Sequence, residues 1–204
     1  MKSFIAIAVA VILIAASLPY MYQISRRQVV PTLSTWIILV VATSLNSASY
    51  LVATRWDVLS GTLGLTDALV CWCILIVTIV SAGVKMQWQT FEKYYLTASG
   101  VIVLFWMISR TAFITNLLMQ ILITVGCSAT IQSLLYANEN PESFLYWGLV
   151  LVAVTLSLYP AAVEGNLLAL IYSIRSIVIV CVILSLMFRV HRKTRVMLHP
   201  QFRK

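Results

Sequence analysis

The chain has 204 residues, of which 61% are apolar and only 10% charged, with a formal net charge of +8. Soluble domains carry charge on about a quarter of their residues, so this composition excludes an ordinary soluble domain. The seven glycines and five prolines exclude collagen-like and disordered classes, and no polar stretch is long enough to build a soluble catalytic domain.

A helix needs about 20 mostly apolar residues to cross a bilayer. Seven runs approach that length, at roughly 3–22, 32–53, 61–82, 94–109, 112–135, 143–163 and 166–188. The first has only Lys2 before it and no small-x-small cleavage site before Tyr20, and its stronger positive flank, Arg26-Arg27, follows it. It is therefore expected to be a retained helix, not a signal peptide. The second run opens at Pro31-Thr-Leu-Ser34-Thr-Trp36 and carries a polar patch at Asn46, Ser47 and Ser49. The third carries Asp67, Cys71, Trp72 and Cys73. Only Ser109-Arg110-Thr111 parts the fourth from the fifth, and a charged residue between two such runs favours a tight turn over one long helix. Asn116 and Gln120 lie one turn apart on the fifth. The sixth opens at Pro141-Glu-Ser143 with Trp147 close behind, and the seventh carries Tyr172 and Arg175 on one face. A basic tail follows, Arg189-Val-His-Arg-Lys-Thr-Arg195, which reads either as a stop-transfer anchor or as a contact for anionic head groups.

Cys71 and Cys73 fall on different faces of a helix, and neither they nor Cys127 and Cys181 have further ligands close by, so the four are expected to be small buried thiols without a metal. No phosphate loop, metal-binding His pair or nucleophile elbow is present, so no enzyme and no cofactor is expected. With seven spans, Lys2, Arg55 and Arg110 fall on one face of the membrane. Arg26, Arg27, Lys85, Lys93, Arg189, Arg192, Lys193, Arg195, Arg203 and Lys204 fall on the other. The positive-inside rule puts the second face in the cytoplasm, with the N-terminus outside. The net charge is a topology signal, and no nucleic-acid partner is expected.

Pro31 to Trp36 has a counterpart 110 residues on, Pro141 to Trp147. Each follows an apolar run and a short polar turn, and each precedes two more runs. Pro suits the first turn of a helix, where its missing N–H costs nothing, and Trp36 and Trp147 are expected at head-group depth as anchors. Further along the offset drifts to about 108, where Cys73 falls opposite Cys181 and Asp67 opposite Arg175. Seven spans then divide into two parallel three-helix repeats joined by an inverting linker helix, an all-α membrane protein. The expected divisions are 1–84, 85–111 for the linker, 112–192 and a tail at 193–204.

Leu18-Pro19-Tyr-Met-Tyr-Gln-Ile-Ser-Arg26 with Pro31 to Trp36, and Thr130-Ile-Gln132 through Asn140-Pro141-Glu-Ser143 and Trp147, resemble the SWEET and PQ-loop superfamily, the second stretch being similar to a bacterial branch of it. Pro19 is followed by Tyr20 where the family's naming pair has Gln, Ala129 stands 110 residues after Pro19, and Pro160 has no partner in the first half. The resemblance implies two triple-helix bundles that rock about a midplane site in a bacterial inner membrane. It also implies a polar or zwitterionic metabolite as cargo, such as a sugar, an amino acid or a vitamin precursor. The superfamily contains receptors too, so a membrane receptor or scaffold is the alternative.

Ionisable residues inside spans are costly and mark function. Asp67 and Arg175 are therefore expected to line the central cleft, as a gating ion pair or as ligands for the solute; the other reading is a fixed structural salt bridge. Asn46, Asn116 and Tyr172 complete the expected substrate-binding set, since aromatic walls beside polar groups suit small organic ligands. The expected partners are the bilayer and a small polar solute, and a homo-oligomer is compatible with the sequence.

Overall fold

The computed structural model describes residues 2–53, 58–82, 90–109, 112–163 and 167–198. Of the residues named above, Arg55, Lys85, Arg110, Thr111, Arg203 and Lys204 lie outside the described residues, as do the side chains of Lys2, Ser49, Ser109, Asn116 and Arg195. Among the described residues every regular element is a helix: α1 (Lys2–Ser25), α2 (Leu33–Ala53), α3 (Val58–Ala82), α4 (Thr90–Ser109), α5 (Ala112–Tyr136), α6 (Phe144–Val163) and α7 (Leu167–Leu198). Within the described residues, Phe4–Ser25, Leu117–Tyr136, Phe144–Val163 and Leu170–Thr194 are long and apolar enough to cross a membrane. Leu33–Ala48, Leu65–Ser81 and Lys93–Phe105 are shorter apolar stretches.

The first six helices match the expected runs within a few residues. α7 does not end near 188 but continues to Leu198, so the basic tail begins as helix. The physical reason is the lack of a breaker: no Gly or Pro occurs between Leu167 and Leu198, and cations favour a helix C-terminus. The extension docks on the turn between α5 and α6, where Thr194 Oγ1 donates to the Asn138 carbonyl at 3.1 Å and Lys193 Nζ to Asn138 Oδ1 at 3.4 Å.

α1 ends in a Schellman turn. Gln28 N–H bonds the Gln23 carbonyl and Arg27 N–H the Ile24 carbonyl, both at 2.9 Å. Arg27 occupies the left-handed position with φ 57°, where glycine is usual. This reversal sends the chain into Pro31 and the start of α2.

Packing is ordered around a ring. α3 packs on both α1 and α2, and α7 on both α5 and α6, whereas α1 does not pack on α2 nor α5 on α6 among the described residues. The two groups of three meet twice, α1 against α6 and α2 against α5. Following these contacts gives a closed circuit: α1, α3, α2, α5, α7, α6 and back to α1. Exchanging α1, α2 and α3 for α5, α6 and α7 leaves the circuit unchanged. α3 and α7 stand opposite one another across it, and α4 lies outside against α5 and α2, tied by Tyr95 Oη donating to Gln132 Oε1 at 2.9 Å.

The α2–α5 seam is close because Gly126 offers no side chain. A Cβ there would meet Ile38 Cγ2 at 2.9 Å. Thr35 Oγ1 donates to the Gly126 carbonyl at 2.9 Å, so its own proton is committed, and the 2.8 Å bond between Thr35 and Thr130 has Thr130 as donor. Gly126→Leu is expected to destabilise the bundle by about 1–3 kcal/mol by overpacking. Gly100→Ala, on α4 with nothing within 4 Å of a built Cβ, is expected to leave stability unchanged or raise it. Thermal unfolding of the purified variants in one detergent checks the contrast.

Candidate functional site

Two polar clusters bridge the halves of the ring. The first is built where the two Pro/Trp copies meet. Val30 N–H donates to the Pro141 carbonyl at 3.0 Å, joining the turn before α2 to the turn before α6. Ser143 caps α6, its Oγ accepting the Tyr146 N–H at 3.5 Å, and this start fixes Glu142 against the C-terminal half of α1. Glu142 is 5% exposed. Its Oε2 accepts Tyr20 Oη–H at 2.7 Å and Trp147 Nε1–H at 3.1 Å. Asn140 holds the backbone around it, its Nδ2 donating to the Glu142 carbonyl at 3.0 Å.

An aromatic cage surrounds this carboxyl. Tyr20 stacks on Tyr146 with ring centroids 4.2 Å apart, and Trp36 lies 5.8 Å from Tyr20 and 6.0 Å from Tyr146. Trp36 and Trp147 are 1% and 5% exposed. Both expected head-group anchors are therefore buried: Trp36 packs against Tyr20 and Tyr146, and Trp147 against Tyr146 and the Glu142 carboxyl. Burial pushes the Glu142 carboxyl up to about 7, and the hydrogen bonds from Tyr20 and Trp147 hold it from going further. Among the described residues no cation forms an ion pair with it within 4.0 Å.

The second cluster crosses the middle of the circuit. Tyr172 on α7 donates from Oη to Asp67 Oδ2 on α3 at 3.4 Å, although the two helices do not pack directly on one another among the described residues. The Arg175 guanidinium lies over the same Tyr172 ring, 4.9 Å from its centroid. Arg175 Nη2 donates to Ser176 Oγ at 3.0 Å, and its Nε is buried without a hydrogen-bond partner. No ion pair within 4.0 Å joins Asp67 to Arg175 among the described residues. Of the expected arrangements, the direct ion pair is absent, and Tyr172, one turn before Arg175 on α7, touches both charges instead. Cys71 Sγ lies 4.0 Å from Asp67 Oδ1, one turn along α3.

Asp67, Tyr172 and Arg175 are thus brought together. Asn46 is partly buried on α2 and belongs to neither cluster by any hydrogen bond among the described residues, while the Asn116 side chain lies outside them. Trp72 turns away, 47% exposed, with its indole N–H on Ser44 Oγ at 3.1 Å. Of the four thiols expected to be buried, Cys71 and Cys127 are, whereas Cys73 and Cys181 are exposed on outward faces of α3 and α7. The two exposed ones are the pair matched at the 108 offset.

Glu142 is the residue that sequence reasoning passed over. A signal for it existed: 110 residues earlier stands Thr32, so the two copies differ by an acid just after the proline. Tyr146 and Cys127 lie within electrostatic reach of both Asp67 and Glu142. Compared with protein-family models, curated proteins and solved structures, the chain finds no match.

A carboxyl with an ordinary value of 4.5 that rises to about 7 on burial favours the folded state in its protonated form. Its contribution is complete below about 4.5 and is lost as pH rises through about 7. Thermal stability is therefore expected to fall across that window by up to ~3 kcal/mol. Glu142→Gln, which keeps an acceptor and stays neutral, should flatten this pH dependence when melting is followed in buffers of constant ionic strength.

Proposed function

We propose that the chain is a membrane carrier for a small polar or zwitterionic solute, working by alternating access about the Asp67, Tyr172 and Arg175 cluster. The single observation that carries this reading is the pairing of an acid on α3 with a base on α7 at opposite points of a closed six-helix circuit. An internal acid and base inside apolar helices are costly to keep, and the cost is accounted for when a ligand bearing both signs completes them. The buried, unpartnered Nε of Arg175 is a donor suited to a carboxylate or hydroxyl of that ligand, and Asp67 suits an ammonium or hydroxyl. The Tyr172 ring supplies an aromatic wall.

The contact pattern supports seven spans arranged as two triple-helix bundles joined by α4, the architecture of the SWEET and PQ-loop superfamily. In this reading the bundles are α1–α3 and α5–α7, and α4 reverses the chain between them. The positive charges of Arg26, Arg27, Arg189, Arg192 and Lys193 favour the Pro31 and Pro141 end as the cytoplasmic end in a bacterial inner membrane. The Glu142 cage then stands at the inner mouth and the Asp67 cluster deeper within.

Flux of labelled amino acids, sugars and other zwitterions into proteoliposomes tests the proposal. Loss of a charge-assisted hydrogen bond of about 1.5–3 kcal/mol predicts that Asp67→Asn and Arg175→Gln each reduce flux about ten- to hundredfold. Full activity in both single variants would remove the cluster from the mechanism. No flux of any solute, together with a stoichiometric complex with another membrane protein, would assign the bundle to a receptor instead.

A further inference from the structure

We propose that Glu142 is a proton-binding site that latches α1 to the α5–α6 turn: protonated, it keeps Tyr20 and Trp147 closed on it and the Pro31 and Pro141 turns together, and ionised, it releases them.

Both donors, Tyr20 Oη–H and Trp147 Nε1–H, use the same oxygen, Oε2. Oε1 receives neither and is the oxygen left to carry a proton. Gln23 lies one turn beyond Tyr20 on the same face of α1, and its Oε1 is buried without a hydrogen-bond partner. That end of α1 therefore holds a free acceptor, which a protonated carboxyl can meet and a carboxylate cannot. The groups that face Glu142 are Tyr20 from α1, Tyr146 and Trp147 from α6, and Cys127 from α5, with Trp36 of α2 behind Tyr20. None of them is a cation. An ionised Glu142 in this cage keeps two hydrogen bonds but no counter-charge, and its route to solvation is outward from the turn.

That movement has a defined consequence. Glu142, Tyr20 and Trp147 form a side-chain bridge at the α1–α6 seam, beside the backbone bond from Val30 to Pro141. Both halves of the ring contribute to it, so loss of the bridge parts the two Pro/Trp turns at one end. The other seam, at Thr35, Gly126 and Thr130, holds no titratable group and stays closed. The ring then opens about the α2–α5 contact as a hinge. The proton comes from and returns to water, and no other group changes its protonation.

Nitroxide labels at Gln28 and Glu139, both exposed and on the two turns concerned, report the separation by pulsed electron paramagnetic resonance. They are placed in a chain whose four cysteines are replaced by alanine, reconstituted in lipid nanodiscs and titrated from pH about 5 to about 9. The short-distance population is expected to dominate at the acid end and fall to a minority at the alkaline end. Glu142→Gln should hold the short distance throughout. Tyr20→Phe, which keeps the ring stack but removes a donor to the ionised form, should move the transition to higher pH. An unchanged distance distribution in the unsubstituted chain across this range would overturn the proposal, and so would a transition that persists in Glu142→Gln. The distances are read without solute, so the latch and the carrier reading fail separately.

Discussion

The seams between the two halves of the ring are what the rest of the molecule depends on. Each half has its own helix-on-helix packing, with α3 between α1 and α2 and α7 between α5 and α6. Among the described residues, helix packs on helix between the halves only at α1–α6 and α2–α5, with the Tyr172–Asp67 hydrogen bond as a side-chain link across the middle. In a low-dielectric setting, polar groups at such seams must satisfy one another, since water does not. The α2–α5 seam does this with neutral groups: a glycine that lets the backbones approach and two threonine hydroxyls in series. The α1–α6 seam does it with a carboxyl. One seam is therefore indifferent to pH, and the other is held by a group that titrates near neutrality.

This difference gives the two Pro/Trp copies different work. In the first, Trp36 packs against the tyrosines from the side. In the second, Trp147 donates to Glu142 and so becomes part of the bridge itself. The duplication supplies the frame, and the departure from it at Thr32 and Glu142 supplies the chemistry. The same holds deeper in the ring, where Asp67 and Arg175 occupy matched positions with opposite charge and Tyr172 spans the gap between them.

Much of the fold was legible in the sequence because apolar runs of spanning length admit few alternatives. Helix starts at Leu33 and Phe144 followed from proline and serine, and the offset between the copies set Asp67 opposite Arg175, where Tyr172 touches both without a direct ion pair. Three things were not legible. The apolar run at 166–188 marks a span but not the end of α7, which continues to Leu198 because nothing in Arg189 to Leu198 breaks a helix. Trp36 and Trp147 were read as facing head groups, because their depth along the helix is visible in sequence and their azimuth is not. Glu142 was passed over because it sits in a turn, where an acid is usually solvated, and only the docking of α1 over that turn buries it.

The central claim is that α3 and α7 face each other across an axis along which a solute moves. Asp67→Cys with Tyr172→Cys, in a chain otherwise free of cysteine, places thiols at the two ends of that contact. A short bifunctional thiol reagent applied to proteoliposomes, followed by flux before and after cleavage of the link, tests geometry and function together. Cross-linking within one chain that is blocked by solute is the predicted result, with restoration by cleavage of whatever flux the uncross-linked pair retains. Failure of the pair to cross-link, or a quantitative link that leaves flux untouched, would contradict the account.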